Sequence, residues 1–268
     1  MILLLGAGAA LAALVDVGSG AARPAALIVE TPGFAPAAYD PLSATIEGFG
    51  VDAWRLALGP DEQSDGAALR AIDAALTTLR ASGRPVALVG HGIGGRLAAR
   101  AVAERGVVPD ALGLLGAPLD YRVLGDAPVA LVAWMSLLPL PDRPLDLGEL
   151  TGALWRDQPA LSLLLGDPLP PLTSVSPTFL AALQADVRSG RVVDLKGAPC
   201  PIWTVASQRD NLAPPEAVRA ANGDGAFVRA GYLHLDPREP DHAGLLTEPV
   251  VLRNLARWLR AQLRGAAR

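Results

Sequence analysis

Residues 85–96 read Pro85-Val86-Ala87-Leu88-Val89-Gly90-His91-Gly92-Ile93-Gly94-Gly95-Arg96. Val86–Val89 is apolar at every position, as a parallel strand covered on both faces requires. Past Gly92, Leu97 and Val102 continue a helix-like stretch that ends at Gly106. The segment therefore predicts a strand, a sharp turn and a helix. Gly90 and Gly94 suit a close strand–helix crossing, and Gly92 suits a positive φ, which costs glycine nothing.

Working outward, short apolar runs at Ala25–Val29, Val51–Leu58, Ala111–Leu115, Ile202–Ala206 and within Ala226–Leu235 read as further strands. Ser64 and Asp65 are placed to cap a helix through Leu69, Ile72, Leu76 and Leu79, with Gly83 as its stop. A last helix spans roughly 249–263, its apolar face carrying Val250, Leu252, Leu255, Leu259 and Leu263. Strands alternating with helices of this length predict an α/β fold, a mostly parallel sheet with helices on both faces. Residues 119–197 differ. Prolines from Pro128 to Pro177 break them into short helices, near 129–138, near 159–165 and from Ser176 to Val187, with Pro177 at the first position of the last. This reads as a helical cap inserted over the carboxyl ends of the strands, where open α/β sheets bind ligands. Trp134, Met135, Leu137, Leu138, Trp155 and Phe179 either line an apolar pocket there or fasten the cap to the core.

The chain has 268 residues, 51% of them hydrophobic, and a net charge of −4. That suits one domain, at about 25–268, preceded by an apolar segment at 1–24. No basic cluster suggests nucleic acid. The single Cys200 excludes an internal disulfide, and three histidines without a ligand-spaced motif predict no metal. No cofactor motif is complete: Gly6-Ala7-Gly8 is followed by Leu11 where a dinucleotide loop needs glycine. Residues 1–15 carry no charge, yet a membrane span takes about 20 apolar residues. They read as a packed helix or strand of the domain, as a membrane anchor or atypical secretion segment, or as a misassigned start, with a cytoplasmic location favoured over a membrane-associated or exported one. Lys196 is the only lysine, an arginine bias that matches GC-rich bacterial coding.

Gly90-His91-Gly92-Ile93-Gly94-Gly95 resembles the nucleophile elbow of the α/β-hydrolase superfamily, where Ser, Cys or Asp occupies the place of Gly92. Two further stretches match. Asp210, in Trp203–Pro215, falls after the penultimate strand, where the superfamily places its acid. His242, in Asp241-His242-Ala243-Gly244-Leu245-Leu246, falls before the last helix, where it places its histidine. His234, in Tyr232–Asp236, is the rival for that role. The resemblance also implies an oxyanion hole from Ile93 N–H and a donor in the turn Thr31-Pro32-Gly33-Phe34. Pro32 has no N–H, which leaves Gly33 or Phe34.

Glycine cannot attack a carbonyl, so a serine-hydrolase mechanism at position 92 is not expected. Three readings remain, one of them a membrane-attached interaction protein that rests on the apolar run at 1–15. The chain binds a small apolar or acyl-like molecule without turnover. Alternatively, it is an ester or thioester hydrolase, or another non-covalent acid–base enzyme, with His242 as base and Asp210 as its orienting acid. His91 and Ser207 are the other side chains with reactive groups near the expected site.

Overall fold

The computed structural model describes residues 2–4, 13–16, 23–123, 143–147, 172–210, 212–215, 217, 231–235 and 240–266. In chain order the described strands are β1 (Ile2–Leu4), β2 (Ala13–Asp16), β3 (Ala25–Val29), β4 (Asp52–Ala57), β5 (Val86–His91), β6 (Ala111–Leu115), β7 (Leu145–Asp146), β8 (Ser174–Val175), β9 (Ile202–Ser207) and β10 (Gly231–Leu235). All but β7 and β8 form one eight-stranded sheet, in the spatial order β1-β2-β4-β3-β5-β6-β9-β10. The six from β4 to β10 in that order are parallel, while β2 runs antiparallel to β4 and β1 antiparallel to β2. Two strands from the apolar run at 1–24 thus extend one edge of the sheet. Among the described residues, no helix is long and apolar enough to cross a membrane.

Successive strand residues face opposite sides, and both sides are covered. Ala25, Leu27 and Val29 meet helices α2 (Asp65–Arg80) and α3 (Gly92–Arg105) on one face. Ala26 and Ile28 meet α1 (Asp40–Gly48) and α5 (Pro249–Ala266) on the other. This double burial is why the central strands read as continuous apolar runs. Gly106 at φ +69° ends α3 as a left-handed cap.

Several local expectations change. Helix α1 carries no counterpart in the sequence reading. Ser64 sits at the N-cap of α2, but its side chain makes no capping bond. On α5, Val250 is exposed, and Val251 joins Leu252, Leu255, Leu259 and Leu263 in the core. The buried stripe steps by three and four residues from 251 and 252, and Val250 lies one helical step off it.

Within the insertion, β7 pairs antiparallel with β8, and α4 (Pro177–Ser189) follows. Ser176 caps α4, its Oγ accepting from Phe179 N–H at 3.0 Å, with Pro177 in the first turn. These pieces pack over the carboxyl end of the sheet: Thr173 N–H donates to Gly33 O at 2.8 Å, and Phe179, Leu180 and Val175 pack with Ile93. The helices expected near 129–138 and 159–165, with Trp134, Met135, Leu137, Leu138 and Trp155, lie outside the described residues.

Candidate functional site

Strand β5 ends at His91, and α3 begins at Gly92 with φ +54°. The crossing is as tight as the glycines suggest. A Cβ on Gly90 would fall 2.5 Å from Gly95 Cα and 2.7 Å from Gly94 O. The turn therefore demands glycine at Gly90 for space and favours it at Gly92 for conformation.

Asp210 and His242 come together beside this turn. Nδ1 of His242 lies 3.0 Å from Oδ1 and 2.9 Å from Oδ2 of Asp210, and both side chains are buried. Oδ1 also accepts from Leu212 N–H at 3.0 Å and Ala213 N–H at 2.8 Å. Two backbone donors fix the Asp210 side chain in place, and its oxygens, as acceptors beside Nδ1, set the ring's tautomer with a proton on Nδ1. The other ring nitrogen faces the elbow. A Cβ built on Gly92 would lie 2.8 Å from Nε2 of His242, 3.2 Å from its Cε1 and 3.2 Å from Oγ1 of Thr31. The imidazole has closed on the space that a side chain at position 92 would fill.

Gly116 belongs to this site without a sequence signal for it, and Thr31, read above only as part of the expected oxyanion turn, takes a larger part in it. Thr31 Oγ1 donates to His91 O at 2.5 Å and accepts from Gly94 N–H at 3.1 Å, so one hydroxyl spans the elbow. A Cβ on Gly116, at φ +51°, would fall 2.5 Å from Asp210 Oδ2 and 3.3 Å from His242 Nδ1; only glycine leaves the pair its room. The expected oxyanion donors divide. Phe34 N–H is already donated to Thr31 O at 3.1 Å, which corrects its expected role as a donor to ligand. Ile93 stands in the first turn of α3, where N–H groups lack intrahelical acceptors. Among the described residues, Gly33 N–H has no acceptor. Ser207 is fully buried, and its Oγ accepts from Arg209 N–H at 3.1 Å within a turn. His234 lies within β10, in register with Ala206. Phe179 packs near Ile93 rather than against the dyad.

His91 is fully buried, and its Nε2–H donates to the backbone oxygen of His242 at 2.9 Å. The two rings stand 4.4 Å apart, with Phe34 edge-on to His91 at 5.5 Å. Burial, reinforced by the neighbouring His242, pulls the His91 pKa well below the usual imidazole range. His91 is therefore a neutral clamp on the His242 loop. Next to Thr31, Glu30 is buried and paired with Arg55 at 3.2 Å. Burial pushes its carboxyl from the ordinary 4.5 up to about 7, against the pull of Arg55.

These two shifts act oppositely on stability. The folded chain holds the Glu30 proton more tightly than the unfolded chain, so Glu30 weakens the fold as pH rises from 4.5 towards 7. His91 resists protonation when folded, so its contribution is present above the ordinary imidazole value of 6.5 and is lost as pH falls below it. Glu30→Gln is expected to gain about 1–3 kcal/mol relative to the native chain on going from about pH 5 to about pH 8. Urea unfolding at the two pH values measures this. Parallel pH dependence in the two proteins would show that Glu30 does not titrate as stated.

Among the described residues, no group of three or more His, Cys, Asp or Glu side chains is placed to hold a metal ion. Solved structures similar to the chain include an α/β-fold family hydrolase from Bacillus anthracis str. Sterne. It has a TM-score of 0.68 at 13% identity, over 98% of this chain and 99% of that one. The fold is that of the α/β-hydrolases. A proline iminopeptidase-related protein of Thermus thermophilus has a TM-score of 0.63 at 19% identity, over 99% of each chain. The monoacylglycerol lipase of Paleococcus ferrophilus has a TM-score of 0.61 at 17% identity, over 93% of this chain and 98% of that one. No family model and no curated protein matches the sequence. Within this α/β-hydrolase fold, the chain sets Gly92, Asp210 and His242 side by side.

Proposed function

We propose that this chain binds a small apolar or acyl-like molecule at the carboxyl end of its sheet and forms no acyl-enzyme. The observation that carries this reading is the elbow itself. Gly92 holds the strained turn, and Nε2 of His242 stands 2.8 Å from where a Cβ would be. No side chain at that point can bond covalently to a substrate. The apolar group of Ile93, Val175, Phe179, Leu180 and Leu183 lies next to the elbow and suits a hydrocarbon chain. Likeness in fold to a monoacylglycerol lipase supports an acyl-bearing ligand.

A second reading rests on the dyad. Asp210 grips His242 through both oxygens, so a general base for water is in place even without a nucleophile. A fluorophosphonate probe and p-nitrophenyl and thioester acyl substrates separate the readings. The native chain is expected to resist labelling and to show no turnover. Gly92→Ser is expected to gain labelling while losing about 1–3 kcal/mol of stability, because serine takes a positive φ and the imidazole must retreat from its Cβ. Native turnover abolished by His242→Ala would favour the general-base reading. Labelling of the native chain would overturn both.

A further inference from the structure

Building on the ligand-binding reading above, we propose that the hydrocarbon chain of the ligand ends in a hydroxyl group. That end enters a narrow pocket between α2, α3 and α4, where the Tyr121 hydroxyl meets it. The pocket is distinct from the elbow: Gly92, Asp210 and His242 take no part in its lining.

Its apolar walls are Ile93 and Leu97 of α3 and Phe179, Ala182 and Leu183 of α4. Ile93, Phe179 and Leu183 also belong to the apolar group beside the elbow. A chain lying against that group therefore runs into the pocket. The polar wall holds Gln63, Asp65, Arg96, Asp186 and Tyr121. The first four are engaged. Gln63 donates to Leu58 O at 3.1 Å and accepts from Ser176 N–H at 2.9 Å. Asp65 accepts from Arg100 at 2.7 Å, and Arg96 donates to Asp186 at 2.6 Å.

Tyr121 differs. It opens the short helical turn Tyr121–Val123 and is 6% exposed, and its hydroxyl has no hydrogen-bond partner among the described residues. Burial raises its pKa above the ordinary 10, so it keeps its proton at neutral pH. The charges that act on it are those of Arg96, Asp186, Arg100 and Asp65. Three of those four residues stand on the pocket wall, so the hydroxyl lies on the pocket side of the ring.

A buried hydroxyl left without a partner is costly. It can both donate and accept, and a second hydroxyl answers both needs, whereas a ketone only accepts. The surrounding charges exclude an ionic chain end. A carboxylate would come beside Asp65 and Asp186, and an ammonium beside Arg96. Each of these is already paired, so no counter-charge is left for the newcomer. A neutral chain end with a primary hydroxyl is the chemistry that remains, and a site built to bond a hydroxyl discriminates against the analogue lacking it.

The test is calorimetric titration of the full chain at neutral pH with methyl hexanoate, methyl octanoate and methyl decanoate, each against its ω-hydroxy counterpart. At least one ω-hydroxy ester is expected to bind at least tenfold more tightly than its unsubstituted partner. Tyr121→Phe is expected to bring every pair to equal affinity. Its melting temperature without ligand is expected to equal or exceed the native value, because the group removed had no partner. Ala182→Leu, which adds bulk to the pocket, is expected to remove the preference as well; its melting temperature checks that it remains folded. Absence of any preference in the native chain, a preference that survives either substitution, or a lower melting temperature in Tyr121→Phe would overturn the hydroxyl assignment and leave acyl binding standing. Failure of every ester to bind would instead remove the ligand-binding reading on which the assignment rests.

Discussion

Among the described glycines, Gly94→Ala is expected to be the most damaging added methyl. The new Cβ would overlap Val29 O and lie 3.0 Å from Glu30 C and 3.1 Å from Glu30 O. All three atoms are backbone, so no flexible side chain can swing away. Nor can that backbone yield cheaply. Val29 pairs with Leu56 on one side and Gly90 on the other, and Glu30 N–H donates to Leu56 O at 3.1 Å. Relief requires lifting α3 off the sheet, which would unpack Leu97, Ala98, Ala101 and Val102 from the core. A loss above about 4 kcal/mol follows, the range reserved for a few specific mechanisms. In a chain of this size that lowers the melting temperature by roughly 10 °C or more, if the protein remains soluble. Gly48→Ala is the control. Gly48 ends α1, with nothing within 4 Å of its added Cβ, and alanine there is expected to be neutral or to stabilise by up to about 1 kcal/mol. Thermal unfolding of the two variants decides the matter; a Gly94→Ala protein within about 1 kcal/mol of native would refute the crowding argument.

The contrast between these glycines shows what a linear sequence displays. Gly90, Gly92 and Gly94 are legible because strand, turn and helix are neighbours in the chain, and their spacing records the crossing. The central strands are legible because burial on both faces leaves no polar position. Asp210 and His242 are legible as residues at strand and helix boundaries. Their pairing is not, since it joins positions 32 residues apart. Thr31 is harder still. Its role rests on bonds to His91 and Gly94, 60 and 63 residues on, and a threonine after a strand reads as an ordinary turn residue. Helix α1 escapes because it has nine residues, opens with Asp40-Pro41 and buries only Leu42, Ser43 and Ile46, too short a period to stand out. Arg96 gives no sign of its place either, because nothing local in the sequence marks a charged helix residue as buried, and this one is.

Arg96 is 1% exposed, and all five of its N–H donors are used. Nε donates to Asp186 Oδ2 at 2.6 Å, and one terminal nitrogen donates to Asp186 Oδ1 at 3.1 Å and Arg191 O at 2.9 Å. The other donates to Pro118 O at 2.8 Å and Leu119 O at 3.0 Å. Its guanidinium also lies 4.1 Å over the Tyr121 ring. One side chain on α3, a turn past the elbow, thus ties down α4 through Asp186 and both ends of the insertion through backbone oxygens. Arg100, bonded to Asp65 and Glu104, carries the same network to α2. Arg96→Leu would leave the partly buried Asp186 with only the longer ion pair to Arg100 at 3.9 Å, and the Pro118 and Arg191 carbonyls without their side-chain donor. The expected cost is about 3–5 kcal/mol, as for other broken buried pairs. Arg96→Leu combined with Asp186→Leu should recover part of that loss, because the stranded charge is gone. The loss should also loosen α4, which carries Phe179, Leu180 and Leu183 to the wall beside Ile93. Urea unfolding of the single and double variants, with hydrogen exchange along α4, checks both parts. If the double variant is no more stable than Arg96→Leu, the carbonyl contacts and not the ion pair hold the insertion in place. If α4 exchange is unchanged in either variant, the wall at Ile93 is held by apolar packing alone.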